Sequence, residues 1–70
     1  MKEWTAKELI EHFKNPNHCT QLNKYSAAHC ADYYVSGLIS SYQNMIDSGH
    51  DMEREYYHYR NVKVDIQKYL

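Results

Sequence analysis

Apolar residues recur along this chain at steps of three and four, and they nowhere alternate with polar ones over the length of a strand. That period predicts helices. In the first segment Ala6, Leu9, Ile10 and Phe13 share one face, with Thr5 ahead of them and Glu8 three residues after Thr5. Thr and Glu at that spacing form a capping box. Trp4 before the cap and Leu9 at the fourth helical position have the spacing of a hydrophobic staple. Asn15-Pro16-Asn17 stops the helix, because the residue before a proline is pushed out of the helical region. The prediction is a helix over about 5–14.

Residues 15–25 carry a weaker pattern and read as an irregular connection with a helical turn. Asn15 can cap such a turn with Pro16 at its first position. Thr20 could start another, to which Leu22 and Tyr25 would give a small apolar face. A second helix is predicted over about 26–47, ending at the glycine signal Ser48-Gly49. Its core stripe is Ala28, Ala31, Val35, Leu38, Ile39, Tyr42, Met45 and Ile46. A third runs over about 51–69, with Asp51 as cap and Glu53 and Glu55 near the positive end of its dipole. Met52, Tyr56, Tyr59, Val62, Ile66, Tyr69 and Leu70 line its inner face, and Lys68 stands in its last turn. The two long helices, each about 30 Å, are joined by a short Ser-Gly-His turn that forces them antiparallel. The expected fold is all-α: one domain, a short N-terminal helix packed on a long antiparallel helical hairpin, with self-association into a bundle as an extension.

The back of the second helix changes this picture. No charged residue occurs from Tyr33 to Met45, and Tyr33, Gly37, Ser40 and Asn44 stack as a small or uncharged stripe. A solvated helix face normally carries Lys, Glu or Asp. The expectation is therefore a helix packed on two sides. Either the first helix lies there, with Phe13 or Trp4 over Gly37, or another chain does.

Composition points the same way. Seventy residues make one domain near the size at which a single core is marginal. Eight tyrosines inflate the 43% hydrophobic content, and fourteen residues are Leu, Ile, Val or Met. Tyrosine buries area but needs a partner for its hydroxyl, so a protein partner or a homo-oligomer is expected to supplement the core. A net charge of −1 announces no nucleic-acid or membrane partner. No apolar run could span a bilayer, and no signal-peptide core is present. Two cysteines in such a chain read as reduced thiols in a cytoplasmic setting. With Met1 at its start, the chain reads as a small complete frame of bacterial or phage type.

Two dipeptides, His18-Cys19 and His29-Cys30, supply the donor types of tetrahedral zinc. Their spacing opposes that use, since adjacent helical side chains point about 100° apart. On a continuous helix Cys19 and Cys30 would stand about 16 Å apart, too far for a shared metal or a disulfide. A break near Lys24-Tyr25 would be needed. Sequential adjacency gives Cys30 no general base, and no phosphate loop or metalloprotease motif is present. Neither an enzyme nor a cofactor is expected.

The stretch from Arg54 to Arg60 mixes aromatic and basic residues. Tyr56 and Tyr59 fall on the core stripe, which leaves Tyr57, Arg60, Asn61, Val64 and Lys68 outside. Tyr and Arg beside an apolar residue are favoured at protein-binding hot spots. A nucleic-acid regulator using Lys24, Arg54, Arg60, Lys63 and Lys68 is the alternative, opposed by Glu53, Glu55 and Asp65 on the same helix. A zinc-stapled domain is the second alternative. The leading reading is a small non-enzymatic interaction module, an adaptor, inhibitor or regulatory protein acting through exposed helical faces.

Overall fold

Thr5 starts the first helix as its spacing dictates. In a computed structural model, which describes residues 3–18 and 26–70, the Thr5 hydroxyl accepts the Glu8 N–H at 3.2 Å. The Glu8 carboxylate accepts the Thr5 N–H at 3.2 Å in return, completing the capping box. Helix α1 spans Ala6–Phe13, α2 spans Ala27–Asp47 and α3 spans Glu53–Gln67, with no strand among the described residues. After α1, the Asn15 side chain accepts the Asn17 N–H, and the Asn15 carbonyl accepts that of His18, which turns the chain. The expected turn around Thr20, Leu22 and Tyr25 lies outside the described residues.

Ser26 caps α2, its hydroxyl accepting the His29 N–H at 3.2 Å. The other end closes in a Schellman motif. Gly49 N–H donates to the Ile46 carbonyl and His50 N–H to that of Met45, with Gly49 at φ +94°. A side chain at that φ would be strained, so glycine is the residue for this position. The start of α3 differs from expectation: Met52, not Asp51, occupies the cap, and no side chain bonds there. Glu53 and Glu55 nevertheless stand in the first turn, where they favour the dipole.

Helix α2 packs on both α1 and α3. Polar links join the start of α2 to the end of α3, as an antiparallel hairpin requires. Lys63 Nζ donates to Asp32 at 3.0 Å and to Ser36 at 2.6 Å, and Gln67 donates to Asp32 at 2.7 Å. The core combines Ala6, Leu9 and Ile10 of α1 with Ala28, Ala31, Val35 and Tyr42 of α2, and Tyr59, Val62 and Ile66 of α3. The Tyr42 and Tyr59 rings stack inside it, 5.8 Å between centroids.

Three expected core residues stand outside. Met45 is on the rim, and Tyr69 and Leu70, which follow the last residue of α3, are half exposed. A larger correction concerns the thiols. Cys30, in the first turn of α2, is disulfide-bonded, so it is no reduced thiol. Within the chain its partner can be no cysteine but Cys19, which lies outside the described residues. The 16 Å separation assumed one unbroken helix, whereas Ser26 stands in extended backbone and starts α2 afresh.

Candidate functional site

The outer stripe of α3 is built by spacing. Steps of four, three and four put Tyr57, Asn61, Val64 and Lys68 in one row, while Tyr59, Val62 and Ile66 anchor the opposite side in the core. All four are exposed, as is Arg60 at the edge of the row. Tyr57 and Val64 show 58% and 62% of their surface to solvent, which is unusual for two large apolar groups one heptad apart. The Arg60 guanidinium lies 5.7 Å from the centre of the half-buried Tyr56 ring, a cation–π contact. Lys68 Nζ lies 3.5 Å from Asp65.

Among the described residues, nothing covers the back of α2. Tyr33 is 84% exposed, Gly37, Ser40 and Asn44 are exposed, and a Cβ built on Gly37 would meet nothing within 4 Å. The expectation that α1 covers this stripe is therefore corrected. Phe13 meets Tyr34, with 5.6 Å between ring centres, and the Trp4 N–H reaches the Tyr59 hydroxyl. The reason is area: Leu9 and Ile10 gain more from the apolar surfaces of α2 and α3 than from a groove of Gly and Ser.

The basic residues named for nucleic acid are largely spent on carboxylates of the chain itself. Arg54 Nε pairs with Glu3 at 3.1 Å, Lys63 with Asp32 and Lys68 with Asp65. Lys24 lies outside the described residues. Of the zinc set, Cys19 lies outside the described residues. Cys30 is bonded to sulfur, the His18 ring stacks on His12 at 3.9 Å, and His29 lies beside the Ser26 hydroxyl. Among the described residues no three His, Cys, Asp or Glu side chains gather as metal ligands. A shallow cleft between α1 and the start of α2 is lined by Lys7, Ile10, Glu11, Lys14, Ser26 and Tyr69. Its acid is occupied, because a hydrogen bond and the charge of Lys14 hold the Glu11 carboxyl below its ordinary pKa.

The periodicity that found the α3 row did not reveal the polar cluster of Glu3, Trp4, Arg54 and His58, whose members are some fifty residues apart. No described helix is long and apolar enough to cross a membrane. No family model, curated protein or solved structure matches the chain.

Proposed function

We propose that this chain is a small protein-interaction module that docks a protein partner on the outer row of α3. One observation carries the reading: Tyr57 and Val64 stand in water one heptad apart, flanked by Arg60 and Lys68, on a helix whose other side is fixed in the core. A rigid helical ridge with an aromatic and an arginine loses little side-chain freedom on docking. The open back of α2 is a second surface, suited to a further copy or partner because no charge there must be desolvated. The mechanism is occlusion or bridging by helical faces, as in an adaptor, inhibitor or regulatory protein of bacterial or phage type.

The cytoplasmic placement follows from the lack of a signal-peptide core, and the reduced thiols expected with it are not what Cys30 shows. A bridge that persists belongs to an oxidising compartment.

The test is Tyr57→Ala combined with Arg60→Ala, two exposed positions whose truncation leaves the core intact. Partner affinity, measured on the complex recovered with the native chain, should fall at least tenfold, as loss of about 1.4 kcal/mol requires. Helicity should be unchanged. An unaltered affinity would remove this row from the interface.

A further inference from the structure

The segment ahead of α1 is clasped to α3. The Trp4 N–H donates to the Tyr59 hydroxyl at 3.4 Å, and His58 Nε2 lies 2.7 Å from the Trp4 carbonyl oxygen. A carbonyl can only accept, so Nε2 carries its hydrogen in this arrangement. The other ring nitrogen, Nδ1, faces the Glu3 carboxylate at 3.6 Å, and an ionised carboxylate also only accepts. Both nitrogens of one imidazole therefore look at acceptors. A neutral ring has one N–H to offer them, and an imidazolium has two. The second oxygen of Glu3 takes Arg54 Nε.

We propose that His58 is a proton-operated clasp for the N-terminal segment. With both nitrogens protonated, it holds Trp4 through a hydrogen bond and Glu3 through an ion pair. Loss of one proton leaves the Trp4 bond but turns a lone pair toward the Glu3 carboxylate, which opens half of the clasp. Glu3 is then held on α3 by Arg54 alone, so the segment ahead of the Thr5 cap is tied less firmly while its Trp4 bonds remain. The device is tight where the imidazole carries two protons and looser where it carries one.

The charged and titratable surroundings are these. Arg54, one turn back on α3, opposes the second proton, but it is 84% exposed and already engaged by Glu3. Tyr59 sets its ring edge against His58 at 4.9 Å, and Tyr42 of α2 stacks on Tyr59. Glu55 of α3 acts on Tyr42. From α1, His12 meets the Trp4 ring at 5.2 Å and must be separated from His58 by experiment.

Trp4 is the one tryptophan of the chain, so its emission reports the segment directly. The experiment follows emission wavelength and helical circular dichroism from pH 8 to pH 5 in the native chain, His58→Gln, Glu3→Gln and His12→Gln. The native chain should shift to the blue on acidification with a one-proton profile. His58→Gln and Glu3→Gln should flatten that profile, and His12→Gln should leave it in place. Nitrogen NMR of the native chain should show both ring nitrogens of His58 protonated in the blue-shifted state. A native emission that ignores pH, a profile surviving in His58→Gln, or one abolished by His12→Gln alone would each overturn the clasp. Should His58→Gln fail to fold, Glu3→Gln, which lies outside every helix, decides the matter.

Discussion

Tyr42 shows at the scale of one residue what a tyrosine-rich core entails. Its side chain is 8% exposed and stacked on Tyr59. Burial raises its hydroxyl pKa above the usual value near 10, and Tyr59, Glu55, Tyr34 and Glu3 add smaller contributions in the same direction. The sign of the stability effect follows. Above about pH 10 the unfolded chain gives up this proton while the folded chain keeps it, so stability falls as pH rises there. Below that value neither state ionises, and the group adds no slope. Denaturation midpoints between pH 9 and pH 11 should therefore drop in the native chain and drop less in Tyr42→Phe. Equal slopes would mean that Tyr42 is hydrated when folded. The stripe pattern placed Tyr42, Tyr59 and Ile66 inside. It misplaced Tyr69 and Leu70 because the periodicity continues past Gln67, where α3 itself ends.

Element boundaries were legible wherever a side chain supplies the cap. Thr5 with Glu8 and Ser26 act through side-chain bonds, and Gly49 marks the other end of α2 through its positive φ. Asp51 misled because a good capping residue one position early is outweighed by the geometry of the preceding turn. At Gly37 the pattern implied a neighbour, either α1 or another chain, and the structure removes α1: among the described residues the space beside it is open. Gly37→Ala should then raise stability by about 0.5–1 kcal/mol, the helix-propensity difference, since the new methyl meets nothing. Denaturant titration measures the gain, and sedimentation of the same variant measures mass. A loss of stability together with a fall in mass would show that a second copy seats its backbone against this glycine in solution.

For the whole molecule, the hairpin could be read from two matched apolar stripes and a three-residue turn, but the seat of α1 could not. A short helix with one apolar face fits several grooves, and the contacts that choose among them join Trp4 to Tyr59 and His58 across fifty residues. The bond at Cys30 was open in the sequence only on condition of a break near Lys24-Tyr25, and Ser26, in extended backbone, is where α2 starts afresh. That bond matters most for a domain of this size. Closing a loop of about fifteen residues is worth about 3 kcal/mol by chain entropy, a large share of the roughly 5 kcal/mol at the lower end of domain stabilities. Cys30→Ser, or the native chain in excess reductant, should accordingly lose about 2–3 kcal/mol of unfolding free energy in denaturant titrations. Alkylation before lysis should find both thiols blocked to reagent in protein from its native source. A reduced chain as stable as the oxidised one would mean that α1, α2 and α3 hold together by packing alone, and two reactive thiols in the native source would mean that the bridge does not form there.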